Sequence, residues 1–158
     1  KTGLAPTAIA AEPFFQWFIY IGGSGATIGL ALAMLFTGKS AFTKTLSKTV
    51  VVPAMFNINE PIMFGTPVVM NPVLMIPFIV APLVLSTIAW FATTAGLVNK
   101  VSFIAPWTLP GPIGAFMATN FDWRAVVLSI ILIVIATLIY IPFFKVYDNS
   151  LLAEEQGK

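Results

Sequence analysis

The sequence predicts an all-α integral membrane fold of about three transmembrane helices and two re-entrant helical hairpins, and three observations lead there. Of 158 residues, 58% are hydrophobic and 9% charged, with a mean hydropathy of +0.95; soluble domains carry roughly 25% charged residues. Three apolar runs reach the roughly 20 residues that cross about 30 Å of hydrocarbon. Two further apolar stretches are interrupted by proline and glycine, and broken backbone at membrane depth is tolerated only where protein buries it or a watery cavity meets it.

Taken in order, Lys1-Thr2-Gly3-Leu4-Ala5-Pro6 has neither an initiator Met nor the layout of a signal peptide, so it reads as a cut inside a longer protein. The first span is expected over residues 13–36, with Pro13 suited to a helix start and Gly38 just past its end. Gly25 and Gly29 then fall on one face, where a neighbouring helix can approach closely. Residues 41–52, with Phe42, Leu46, Val50 and three lysines, suit an amphipathic interfacial helix. Residues 53–71 hold Pro53, Pro61, Pro67, Gly65 and three asparagines and are expected to form a re-entrant hairpin. The second span covers 72–94. A second hairpin is expected over 102–121, which contains Pro106-Trp107-Thr108-Leu109-Pro110-Gly111-Pro112. The third span covers 125–147, and 148–158, with Glu154 and Glu155, reads as a solvated cytoplasmic tail.

Charge supplies an orientation. Lys39, Lys44, Lys48, Lys145 and Lys158 fall on one side and Lys1, Lys100 and Arg124 on the other, which favours the first set as cytoplasmic. The eight basic residues are scattered, so the net charge of +2 is no nucleic-acid footprint. There is no Cys and no His, which excludes disulfides, Cys/His metal sites and Cys or His nucleophiles within this chain; no cofactor is expected.

Between Lys48 and Lys100 the one ionisable group is Glu60, in Asn57-Ile58-Asn59-Glu60-Pro61. A charge at bilayer depth costs about 2.5–3.5 kcal/mol on insertion scales, so a solitary carboxylate there points to a binding site. Carboxamides both donate and accept while a carboxylate accepts, an inventory suited to a ligand dense in hydroxyls. The plainer alternative is a structural carboxylate that pairs with a cation or caps a helix.

Asn57-Ile58-Asn59-Glu60-Pro61-Ile62-Met63-Phe64-Gly65-Thr66-Pro67, followed by Asn71-Pro72, resembles the signature of the membrane component IIC of the phosphoenolpyruvate-dependent sugar phosphotransferase system, lactose/cellobiose family. The glycine-rich Gly22 to Leu30 and Ala105-Pro106-Trp107-Thr108 resemble two further patches of that family. The resemblance implies that residues 1–158 are the C-terminal part of a sugar-binding transport domain in the bacterial cytoplasmic membrane. It implies a disaccharide substrate of the cellobiose, lactose or chitobiose class, cytoplasmic IIB and IIA partners, and a homodimer formed through the N-terminal part of the IIC protein, which also supplies a site histidine. Glu60 would hold sugar hydroxyls near the C6 position to be phosphorylated, without itself being phosphorylated. Asn57 and Asn59 would also bind sugar, and Trp107, with Thr108 beside it, would stack on a ring. An aromatic face does pack on apolar sugar C–H surface; an interfacial packing role for Trp107 is the alternative. Two rival expectations stand beside this one: a proton-coupled carrier with Glu60 as its protonation site, and a fragment inert by itself.

Overall fold

The computed structural model describes residues 14–66, 68 and 70–157, and their regular elements are all helical. Pro13, Pro67, Lys1 and Lys158, which enter the expectations above, lie outside the described residues. A π-turn (Phe15–Ile19) and a 3-10 turn (Ser24–Ala26) lead into α1 (Ile28–Thr37), followed by α2 (Ala41–Met55), α3 (Glu60–Gly65), α4 (Pro72–Thr94), α5 (Gly111–Ala118) and α6 (Trp123–Gln156).

Two helices, α4 with 23 residues and α6 with 34, are long and apolar enough to cross a membrane. Each starts on a side-chain cap: Asn71 Oδ1 accepts from Val73 N at 3.0 Å, and Asp122 Oδ1 accepts from Arg124 N at 3.0 Å. Each buries one stripe. In α4 it is Leu74, Pro77, Ala81, Leu85, Ala89 and Thr93; in α6, Leu128, Leu132, Ala136, Tyr140 and Phe144 recur at the same helical spacing. The remaining apolar faces are exposed. α6 is the central post, against which α1, α4 and α5 all pack.

The first apolar run is not one straight helix. Phe15–Ala26 and Ile28–Thr37 meet at a bend of 60°, which corrects the expectation for residues 13–36. Gly22, Gly23 and Gly25, with φ of 80, 106 and 75°, take the left-handed region that only glycine enters freely, and the helical ladder ends there. Gly25 and Gly29 therefore share no helix face: Gly25 lies under the Phe78 ring, while Gly29 alone sits against the main chain of Ala136 on α6. The loosened backbone regains its partners from side chains. Tyr140 OH donates to Gly25 O at 2.6 Å, and Thr27 Oγ1 donates to Gly22 O at 2.9 Å.

α2 starts on Ser40, whose Oγ accepts from Thr43 N at 3.1 Å, and runs through Pro53 to Met55. Helix was expected to stop at 52; it runs on through Pro53, whose missing N–H removes one i to i−4 bond, and ends two residues later. Residues 97–110 are irregular, and Ser102 N and Phe103 N both donate to Ala118 O, at 2.8 and 3.1 Å, so the chain doubles back before α6.

The tail is also corrected. Helix continues to Gln156, and Asp148 is 2% exposed rather than solvated. Its Oδ2 accepts from Lys39 N at 2.8 Å and its Oδ1 from Ser40 N at 3.3 Å, while Glu155 accepts from Ala41 N and Phe42 N, both at 3.3 Å. Two carboxylates thus satisfy the orphan donors at the start of α2, where the helix dipole favours negative charge. Replacing Asp148 with Ala leaves two partly buried N–H groups unmatched, and we expect a loss of about 2 kcal/mol. Thermal unfolding in detergent measures it, and an unchanged Tm contradicts the cap.

At the opposite end of α6, about 30 Å away along the axis from Lys145 to Arg124, Asp122 is a second lock. Burial alone would raise its pKa, but N–H donors from Asn99 and Arg124, and the adjacent guanidinium at 3.2 Å, together hold it below the ordinary carboxylate value. A depressed native pKa gives stability that is present above the unfolded value near 3.8 and is lost as pH falls through the native value. Asp122→Asn should therefore lower Tm at pH 7 and progressively less towards pH 3; an equal deficit at both pH values contradicts the assignment.

Candidate functional site

Three interrupted segments converge on one cleft. The first is the π-turn, closed by Tyr20 N donating to Phe15 O at 2.8 Å, an i to i+5 bond that widens the helix; such turns are frequent at functional sites. The widening brings Phe15 and Tyr20 over one another, with ring centroids 6.5 Å apart and planes 30° from parallel. Trp17 turns the other way and is wholly buried against Gly114 of α5, where a β-carbon would overlap the indole. The rigid side of the turn is thereby clamped, and the side carrying Phe15, Gln16 and Tyr20 faces the cleft.

The second and third segments are joined by Asn57, whose φ of 63° is a left-handed value that asparagine tolerates better than most residues. Its Oδ1 accepts from Gly22 N at 3.0 Å, and its Nδ2 donates to Trp107 O at 2.8 Å and Leu109 O at 3.1 Å. One carboxamide therefore staples the glycine bend to the proline-rich loop before α5. Trp107 is held by its carbonyl while the residue stays 59% exposed. The cleft enclosed is about 650 Å³, lined by Phe15, Gln16, Tyr20, Gly23, Asn57 and Trp107. That volume and lining, three aromatic rings beside two carboxamides and a glycine, suit a small organic ligand.

The structure brings together two of the residues expected at a site, Asn57 and Trp107. Asn59 is turned aside: its Nδ2 donates to Ser24 O at 3.2 Å and Ser24 Oγ at 3.0 Å, so it fastens the glycine bend from below. Glu60 opens α3, is exposed, and has no hydrogen-bond or ion-pair partner among the described residues; neither it nor Thr108, also exposed, lines the cleft. Sequence reasoning missed Phe15, Gln16, Tyr20 and Gly23. The available signal was Gln16, one carboxamide within Phe14-Phe15-Gln16-Trp17-Phe18 directly ahead of the glycine pair.

A family model described as phosphotransferase system, EIIC, matches residues 2–82. The chain belongs to that family. This EIIC chain is 47% identical over 150 residues to the cellobiose-specific EIIC component of Geobacillus stearothermophilus, covering 94% of this chain and 33% of that protein. It is 43% identical over 159 residues to the lactose-specific EIICB component of Lacticaseibacillus casei, covering 100% and 27% respectively. The crystal structure of the transporter ChbC, the IIC component from the N,N'-diacetylchitobiose-specific phosphotransferase system, superposes with a TM-score of 0.94 at 39% identity, over 99% of this chain and 36% of that one. The EIIC chain thus spans about a third of the length of the relatives it matches.

Proposed function

We propose that this EIIC chain forms the sugar-holding part of a permease of the bacterial cytoplasmic membrane, which binds a disaccharide and presents it to a cytoplasmic IIB partner for phosphorylation. The observation that carries the reading is the cleft: an aromatic pair, Phe15 and Tyr20, and the exposed Trp107 ring supply faces for sugar C–H surface, while Gln16, Asn57 and the Gly23 backbone supply polar contacts. The names of the relatives, specific for cellobiose, lactose and diacetylchitobiose, support the disaccharide class. The rest of the IIC protein would complete the dimer and the site.

Glu60 does not line this cleft; its proposed role of holding the hydroxyl to be phosphorylated rests on the family resemblance of its motif, and its exposed carboxylate has no internal partner among the described residues to compete for it. Asn57 acts through Trp107 and Gly22, positioning the wall more than touching sugar. Lys39 and Lys145 line one small cleft where α1 and α6 leave their apolar stretches, which supports placing that end in the cytoplasm.

The test is binding of cellobiose, lactose and a non-sugar control to the full-length protein in detergent. We expect one of the disaccharides to bind and Trp107→Ala to weaken it about tenfold or more, equivalent to about 1.4 kcal/mol. Equal affinity of that variant for the sugar removes the proposed stacking.

A further inference from the structure

We propose that Gln16 is a specificity-determining residue whose carboxamide reads a pair of neighbouring hydroxyls on the bound sugar; this rests on the sugar-binding reading of the cleft. Gln16 lines the cleft, yet its Nε2 is buried with no hydrogen-bond partner among the described residues. Leaving a buried donor unmatched costs about 1–3 kcal/mol, so such a group is retained where another state of the protein satisfies it.

The surroundings say which state that is. Gln16 sits inside the π-turn between Phe15, which faces the same cleft, and Trp17, which is locked against Gly114. Its backbone is thus fixed, while its amide nitrogen holds no bond that would have to break for the side chain to turn into the cleft. The other two buried polar atoms without partners, Trp17 Nε1 and Ser129 Oγ, belong to residues that do not line the cleft. A carboxamide offers a donor and an acceptor side by side, which matches two adjacent hydroxyls, one accepting and one donating. Asn57, the other carboxamide of the wall, already spends its donors on Trp107 O and Leu109 O. Gln16 is therefore the carboxamide of the wall with both functions to give; Tyr20, the other wall residue with a free donor and acceptor, carries them on a single hydroxyl oxygen that cannot span two neighbouring hydroxyls side by side.

The experiment measures sugar affinity and sugar-free Tm of the full-length protein carrying Gln16→Met, with cellobiose and its monodeoxy derivatives as probes and Trp107→Ala as the control. We expect Gln16→Met to weaken cellobiose about tenfold while leaving the sugar-free Tm unchanged or raised, because an unmatched buried donor is removed. For two adjacent hydroxyl positions, deoxygenation should weaken wild-type binding about tenfold and leave Gln16→Met unaffected. Undiminished affinity in Gln16→Met, with Trp107→Ala still impaired, overturns the role of Gln16 and leaves the sugar site standing. A lowered sugar-free Tm with the same loss for every deoxy sugar also overturns it, in favour of a structural role. Absence of sugar binding by the wild type, or no effect of Trp107→Ala, takes down the parent reading. Should Gln16→Met not fold, Gln16→Glu, which keeps the length and the acceptor, supports the proposal by discriminating between the same two positions, and overturns it by behaving as wild type.

Discussion

Replacing Asn57 with aspartate should open the cleft and reduce sugar affinity by a hundredfold or more, although the side chain changes by one atom. The Oδ1 acceptor for Gly22 N survives, but both donors to the carbonyls of Trp107 and Leu109 are lost. A carboxylate would then face two carbonyl oxygens that had been hydrogen-bonded. Losing one part-buried and one exposed bond, and setting a carboxylate against the two carbonyl oxygens, gives a local cost of about 3 kcal/mol. The proline-rich loop has few other ties to the glycine bend, so the cost should appear as release of Trp107 and not as global unfolding. α4 and α6, which carry most of the membrane-crossing length, do not depend on Asn57. Trp107 accessibility to a quencher reads this directly, together with affinity and Tm. Retained affinity with an unchanged quenching profile would show that the staple is dispensable.

Glu60→Gln should abolish phosphorylation-coupled uptake by the full-length protein while leaving membrane insertion and Tm intact. Its carboxylate has no hydrogen-bond or ion-pair partner among the described residues, so removing the charge costs the fold no more than the small dipole contribution of about 0.5 kcal/mol at the exposed start of the six-residue α3. What glutamine loses is a strong charged acceptor for a hydroxyl proton, and groups that orient or deprotonate a nucleophile contribute typically 10²–10⁴-fold to rate. Affinity should fall far less than uptake, because Phe15, Tyr20 and Trp107 still supply the ring surface. The measurement is sugar uptake in cells beside equilibrium binding to the same variant. Normal uptake by Glu60→Gln would end the proposed role. Gln16→Met has the opposite signature, an affinity loss with a position-dependent sugar profile, so the two roles separate experimentally.

Much of the architecture was readable from composition and punctuation. Asn71-Pro72 ahead of an unbroken apolar run marks the start of α4, because a capping side chain and an N1 proline serve helix ends and little else. Asp122 before Trp123 marks α6 in the same way. The bend within residues 13–36 was less legible: glycines permit both close helix packing and positive φ, and only tertiary contacts select between them. Here Gly22, Gly23 and Gly25 took the bend and Gly29 took the packing.

The site divides along the same line. Two carboxamides and a carboxylate in an apolar stretch announce that something polar must be met, but not whether it is ligand or main chain. For Asn57 and Asn59 the partners are backbone groups of Gly22, Trp107, Leu109 and Ser24, with the Ser24 hydroxyl, remote in sequence and brought near by the fold. The tail misled for a related reason, since Asp148 and Glu155 look like solvated charge until the start of α2 is placed beside them. Gln16 was overlooked because a single amide in an aromatic run has no period or spacing to mark it.

The most direct measurement is a sugar-bound structure of the full-length protein with cellobiose or lactose, whichever binds. The predicted result is a sugar ring in the cleft between the Phe15 and Tyr20 rings and Asn57, with the Trp107 indole against its C–H face and a hydroxyl pair within hydrogen-bonding distance of Gln16. A sugar bound elsewhere, with the Trp107 ring free and the cleft filled by other side chains or by lipid, would contradict it.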